Sequence, residues 1–343
     1  MKAKSIEKKV RLRDVAREAN VSAATVSRLV SGSSLVNPET RERITAAAER
    51  LGFDLEMSKK SRIIAFLLSN RGVLHPFHSS VLTGVETYCA ENDYGLLFLA
   101  LNYPMNTRPE ELELPEILLN RQIVSGVILA GTNSESLPAL FTQRHMPWVA
   151  LGNNIVGDVQ QSHPGLIYFD DLGGAYELTR YLQSLGHKNI GFIGNRRLPW
   201  FARRYQAYQN AMKEAGLAVR SSELQARDSP ELGYLAAKLM LQEAPDTTAI
   251  FAGDDTVAGG VYRAIRDKGL SIPEDISVAG FNDTPEASFL HPPLTSVRVF
   301  TDELGRQLAQ SLLQMIADPE VQPTAPVFPT QLMRRESCAP AIR

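Results

Sequence analysis

The sequence lacks most of the features that would announce a chemical activity at once. It has two cysteines, Cys89 and Cys338, far apart and with no His or Cys cluster beside either. That excludes a disulfide framework and a zinc site of clustered ligands, and leaves both as structural residues. No apolar run approaches the roughly 18 residues a membrane helix needs. The start, MKAKSIEKKVRLRD, has no signal-peptide apolar core. The expectation is a protein that stays in the cytoplasm and meets no membrane. Neither G-x-G-x-x-G nor G-x-x-x-x-G-K-[ST] occurs intact, which argues against a dinucleotide or nucleoside triphosphate site. No cofactor and no metal are expected.

What is present suggests a globular chain with a divided charge. A length of 343 residues predicts two or three domains, and 44 % hydrophobic with 22 % charged residues is enough to build a large core. The net charge of -2 hides an asymmetry: residues 1–62 hold 14 Lys and Arg against 8 Asp and Glu, and the remainder 22 against 30. A basic head on an acidic body fits a partner that is a polyanion, although a solvated basic tail would show the same balance.

The pattern within the head favours the polyanion. Leu12, Val15, Ala16 and Ala19 recur at helical spacing, and Asn20 stands where a left-handed residue would end the helix. Ser22 is placed to cap a second helix from Ala23 to Val30. After the loop SGSSLV, Asn37 as cap and Pro38 at the first helical position open a third helix, with Ile44, Ala47, Ala48 and Leu51 as its buried stripe and Gly52 as its end. Two helices joined by a short turn make a helix-turn-helix. The bland alternative is a three-helix bundle with no nucleic-acid role. Against it, the second helix begins with small and hydroxyl residues, Ala23, Ala24 and Thr25, followed by Ser27 and Arg28. Such a helix can enter the major groove closely, with hydroxyls and Arg28 on phosphates.

The segment LRDVAREANVSAATVSRLVSG resembles the DNA-binding head of the LacI/GalR family of bacterial repressors, whose pattern is close to DVA-x-x-A-x-VS-x-x-TVSRV-x-[NS]-G. The resemblance implies that Ala23 and Ala24, after VS, are the main base readers, and that Ser22, Thr25, Ser27 and Arg28 lie at the DNA. Alanine offers a methyl group alone, so contact with thymine methyls is the readout available there.

The body alternates apolar runs such as RIIAFLL, VSGVILAG, KNIGFIGN, TTAIFAGDD and DISVAGFND with amphipathic segments, which predicts parallel sheets with crossover helices. A generic Rossmann-like enzyme fits that alternation. YLQSLGHKNIGFIGN, the stretch from AGDDTVAGG to HPPLTSVR, DELGRQLAQSLL and PTQLMRRESCAP resemble the same family in order and spacing. The implied fold class is α/β: an all-α helix-turn-helix head on a two-lobed, Rossmann-like core of the periplasmic-binding-protein type. The expected domains are residues 1–53 for the head, 54–62 for a linker and 63–343 for the core. Lobe 1 is expected over about 63–164 and 294–322, and lobe 2 over about 165–293 and 323–343.

The resemblance implies an allosteric regulator, a repressor that binds a pseudo-palindromic operator as a homodimer and is controlled by a small molecule held between the lobes. HPFHSS places Phe77 and His78 at that cleft, against a reading as packing and a helix cap. WFARRYQAY maps Arg204 onto an effector-gripping arginine and Trp200 onto a wall suited to a sugar ring. AGDDTVAGG places Asp254 on the ligand and Asp255 as the cap of the next helix; GFNDTPEAS places Asn282 where an Asp is usual; and Asp170 in YFDDLGG falls at the cleft edge. Gly152 and Asp228 depart from the sugar-binding pattern, which leaves a carbohydrate or sugar derivative first and a purine or other polar metabolite second. Paired carboxylates would also suit a glycosidase, but in such a fold they more often bind hydroxyls, and no enzyme is expected. A solute receptor would not carry a basic head.

The linker DLEMSKKSR is short. The family it resembles uses about 16 residues, including a hinge helix that wedges leucines into the minor groove, whereas nine residues reach at most about 30 Å. Either a one-turn helix with Leu55 or Met57 as a reduced wedge forms, or Lys59, Lys60 and Arg62 contact phosphates directly.

Overall fold

A computed structural model describes residues 11–30, 36–53, 55, 61–72, 75–157, 163–222, 229–318, 320–323 and 326–342. Met57, Lys59, Lys60 and Asp228 lie outside the described residues, and with them most of the linker. The chain divides into two compact units, residues 1–63 with 115–125, and residues 64–114 with 126–343.

In the first unit, three helices share one small core. Helix α1 (Leu12–Glu18) ends at Asn20, whose φ of 53° is the left-handed turn that lets the chain reverse. Helix α2 (Ala23–Val30) is capped by Ser22, whose hydroxyl accepts from the Thr25 amide at 3.1 Å. Helix α3 (Pro38–Leu51) is capped by Asn37, which accepts from Thr40 N, and ends on Gly52 at φ 64°. Val15, Ala16, Val26, Leu29, Ile44 and Ala47 close the interior. Arg43 of α3 donates to the carbonyls of Ala19 and Asn20 at 2.7 and 3.2 Å. A cation thus covers the end of α1, where the helix dipole is negative. The four-residue helix α5 (Glu116–Leu119) also belongs to this unit.

The second unit holds two mostly parallel sheets. The first has the order β2 (Gly95–Leu101), β1 (Ile63–Ser69), β3 (Gly126–Gly131), β5 (Trp148–Leu151), β7 (Leu166–Ile167). Residues Ile64 to Ser69 and all of β3 are buried, as expected for interior strands covered on both faces. A small pair, β4 (Asn133–Ser134) with β6 (Ile155–Val156), sits beyond β3 and β5 in the chain. The second sheet has the order β13 (Thr330–Met333), β12 (Thr295–Val299), β11 (Ser277–Asn282), β10 (Ala249–Ala252), β8 (Ile190–Ile193), β9 (Arg220–Ser222), with β13 antiparallel at one edge. Helices α4 (Pro76–Glu91), α6 (Ser136–Gln143) and α11 (Thr301–Ala317) pack with the first sheet. Helices α7 (Asp171–Ser184), α9 (Pro230–Glu243) and α10 (Asp255–Asp267) pack with the second, and α8 (Pro199–Glu214) packs on α7 and joins the sheet through Tyr208, whose hydroxyl donates to Ile190 O of β8.

Two lobe boundaries differ from those expected. Strand β7, assigned from sequence to lobe 2, pairs with β5 through Ala150↔Leu166 and belongs to the first sheet. Strand β12, assigned to lobe 1, pairs with β11 through Ala279↔Thr295 and belongs to the second. The chain therefore crosses at residues 168–170, again at Phe300, and a third time between α11 and β13. A β-strand's apolar pattern does not say which sheet it joins, so these boundaries could not be read locally.

Candidate functional site

Each unit presents a distinct candidate surface. On α2, Val26, Leu29 and Val30 face the core. Ser22, Ala23, Ala24, Ser27 and Arg28 are exposed, and Thr25 is half-buried. Positions 23, 24, 27 and 28 fall on one side of a helix, so the residues expected to meet DNA form one continuous outward strip. Thr25 is partly committed: its hydroxyl lies 2.8 Å from that of Ser22 in the cap.

In the second unit the carboxyl ends of the two sheets meet across a cleft, where ligands of open α/β folds bind. Arg71, His75, Phe77, His78, Asn154 and Phe169 line it from the first lobe and its crossing, and Trp200, Arg204, Asp254 and Asn282 from the second. The cleft is nearly shut, with a cavity of about 20 Å³, room for roughly one water. A second cavity of about 310 Å³ shares Phe77 and Asn282 with it.

Arg204 is the centre of this arrangement. It is 2 % exposed and projects from α8. One terminal nitrogen donates to Gly253 O at 2.7 Å, the other to Asn282 Oδ1 at 3.0 Å, and the guanidinium lies 3.8 Å from the centre of the Phe281 ring. Burial pulls its pKa down to about 10, against the charges of Asp171, Asp254 and Asp255 that hold it up, so it stays cationic at neutral pH. Asn282 is held at φ 106°, a conformation open to Asn but costly for most residues.

The flanking aromatics arise at helix starts. Phe77 and His78 occupy the first turn of α4, both buried, with ring centroids 5.2 Å apart, and Phe77 lies 6.0 Å from Phe169. Trp200 lies in the first turn of α8 and is 5 % exposed; the Arg71 guanidinium sits 4.3 Å from the centre of its ring, bridging the lobes. The expected apolar wall is therefore covered by a cation in this closed form.

Several readings change at the level of single groups. Asp254, not Asp255, caps α10: its extended backbone lets Oδ1 accept from Val257 N at 2.8 Å while the residue lines the cleft. Asp255 instead accepts from Thr284 N and Ser296 Oγ, and burial raises its pKa to about 8. Asp170 caps α7 through Gly173 N, is exposed, and is not among the cleft-lining residues. Gly152 has no room for a side chain, since a Cβ would meet the Tyr168 ring at 2.2 Å. Sequence reasoning missed Arg71, His75, Asn154 and Phe169; they lie in loops and a crossing whose positions depend on the sheets, although His75 directly precedes the Pro-Phe pair that was noticed.

No metal-binding group of three His, Cys, Asp or Glu is found among the described residues, and no helix there is long and apolar enough to cross a membrane. Cys89 and Cys338 are free, with burial pushing both thiols up to about 11, so neither is a reactive thiolate at neutral pH.

Comparison with known proteins decides the family. Residues 11–54 match the model for bacterial regulatory proteins of the lacI family, and residues 179–338 match a periplasmic binding protein-like domain. The ribose operon repressor of Haemophilus influenzae is 30 % identical over 335 residues, spanning 94 % of this chain and 97 % of that protein. The chain belongs to the lacI family of regulators. The regulator CelR of Thermobifida fusca is 29 % identical over 94 % of this chain and 96 % of its own. A solved complex of CelR with cellobiose superimposes with a TM-score of 0.71 at 28 % identity, covering 96 % of this chain and all of that one. A lacI-family regulator from Enterococcus faecium with bound ribose gives a TM-score of 0.68 at 25 % identity, over 81 % and 99 %. This member of the family is a DNA-binding transcriptional regulator of the effector-controlled type, with the α/β fold and helix-turn-helix head described above.

Proposed function

We propose that the chain is a homodimeric repressor that binds a pseudo-palindromic operator through α2 and changes its operator affinity when a carbohydrate or sugar derivative occupies the cleft. The observation that carries this reading is Arg204: a fully buried cation at the mouth of two sheets, held by neutral acceptors and flanked by aromatic rings. In the DNA-binding role, Ala23 and Ala24 contact bases, while Ser22, Thr25, Ser27 and Arg28 hold phosphates, with Lys59 and Lys60 as further phosphate contacts. In the effector role, Arg204 and Asn282 bind hydroxyls from one lobe, Asp254 accepts beside them, and Phe77, His78 and Trp200 pack on the ring. Asp170 serves as a helix cap. A purine or another polar metabolite would use the same arginine, with Phe77 and Phe169 as stacking faces.

The cleft binds without turnover: its lining carboxylate, Asp254, caps α10 through Oδ1, and Asp255 behind it accepts from two donors. A mobility-shift assay with the DNA upstream of the protein's own gene, run at rising salt and with sugars added, tests the proposal. Binding that weakens steeply with salt and responds to one sugar supports it; binding that ignores salt sinks it, since phosphate contacts must release counterions.

A further inference from the structure

The cavity of about 310 Å³ beside the closed cleft holds side chains that the proposed effector contacts leave unused. Its volume lies at the lower end of the roughly 300–1,000 Å³ typical of small-molecule sites. It meets the cleft at Phe77 and Asn282, which line both. Its walls come from α4, from the turn after β11, and from residues 298–303, where the chain passes from β12 into α11. A group seated there touches both lobes and one of the crossings between them.

Ser80, Thr284 and Thr301 line this cavity, and none of their three hydroxyls has a hydrogen-bond partner among the described residues. Thr284 is 8 % exposed and bonds through its backbone alone, its amide donating to Asp255 Oδ2 at 2.7 Å. A hydroxyl on so buried a residue draws its hydrogen bonds from whatever fills the cavity. Arg298 adds donors: its Nε holds Asp283 at 2.7 Å, and its terminal nitrogens make no further hydrogen bond among the described residues. Asp302 and Glu303 add acceptors at the exposed rim, and Phe300 adds an apolar surface. Hydroxyls, a donor fork and carboxylates together match a ring whose substituents each donate and accept. An apolar group would strand the three hydroxyls, and the rim carboxylates repel a phosphate or a further carboxylate.

We infer that the effector carries at least two linked sugar units, one in the cleft at Arg204 and the second in this cavity, where Ser80, Thr284, Thr301 and Arg298 bind its hydroxyls. This rests on the cleft being a carbohydrate site, as proposed above. A glycosidic link sets two rings side by side, and Phe77 and Asn282 stand at the junction between the two compartments. A single sugar leaves the second compartment to water and forgoes the contacts with residues 298–303.

The test measures the melting temperature of the full chain against rising glucose, galactose, mannose and xylose, and against cellobiose, maltose, lactose, mannobiose and xylobiose, which are built from the same units. At least one disaccharide should half-saturate at least about tenfold below the monosaccharides it contains, since its second ring adds contacts without a second loss of free motion. Ser80→Trp fills the cavity, and Thr284→Val keeps its shape while removing a hydroxyl. Each should weaken that disaccharide at least about fivefold more than its monosaccharide, and the monosaccharide response shows that the variant still folds. Adenosine is the control for a base in the cleft with its ribose in the cavity. No stabilising disaccharide, equal losses for the two sugars in both variants, or adenosine binding more tightly than every disaccharide overturns the inference. A monosaccharide that binds as tightly as its disaccharides and shifts operator binding removes the second unit and leaves the regulator reading standing. A disaccharide that depends on Ser80 and Thr284 yet leaves operator affinity unmoved keeps the second unit and removes the effector role.

Discussion

At the scale of residues, charge placement separates the groups that hold the fold from those that face a ligand. Asp283 is 2 % exposed on its side chain and pairs with both Arg298 and Arg335, tying β12 to the segment after β13. Asp283→Asn should cost about 2–4 kcal/mol, because removing one partner of a buried ion pair strands the others; urea denaturation checks this. Its neighbour Asn282 is directed to Arg204 instead. The sequence singled out Asn282 and the pair Asp254 and Asp255, but not which of the two carboxylates did what. Two consecutive acids at 254 and 255 can each cap a helix, and only the first helical turn's position decides. Arg71 and Trp200 are 129 positions apart in the chain, so their stacking had no local signature.

At the scale of elements, close contact and caps set the packing. Helices α4 and α11 meet at Gly84 and Gly305, where an added Cβ would lie 2.1 Å from Asp302 O and 2.2 Å from Val81 O. Gly84→Val should separate the pair and destabilise the core by about 1–3 kcal/mol or more, as over-packing does, read as a lowered melting temperature. His187 pins the C-terminal segment to the second sheet: Nε2 donates to Ala339 O at 3.0 Å, and Nδ1 lies 3.0 Å from Thr248 Oγ1. Burial lowers its pKa below 6.5, as it does for His163, which stacks on Trp148. Stability from these two is full above about pH 6.5 and falls below it, because the unfolded chain takes up the proton first. Asp255 acts oppositely, its raised pKa favouring the folded state toward acid. The wild-type minus His187→Gln difference in unfolding free energy should therefore shrink between pH 7.5 and pH 5.5. The head's helices were legible from Asn20, Asn37-Pro38 and Gly52, because capping chemistry is local. Strands β7 and β12 were misassigned because sheet membership is settled by partners far along the chain.

At the scale of the whole molecule, the proposed repressor couples a DNA-reading helix to a cleft that holds a ligand. On the proposal that residues 54–62 are the whole linker, its nine positions reach about 30 Å at most, less than a two-turn helix with its connections would need. Operator DNA should accordingly bend less than a leucine wedge would bend it, which gel phasing measures as a small phase-dependent mobility change; a strong kink at the operator centre would oppose this. The family and its two-part architecture were legible in the sequence because the head motif is dense and ordered. The closed cleft was not, since it brings together residues such as Arg71 and Trp200 from two different sheets. The central claim is that occupancy of this cleft sets operator affinity. Fluorescence anisotropy tests it with an operator fragment selected by the protein from random DNA and the ligand that most raises its melting temperature. Saturating ligand should change operator affinity by at least about fivefold, a typical coupling, and Arg204→Lys should abolish the change at the same ligand concentration. The same change in the variant and the wild type, or none in either, would contradict it.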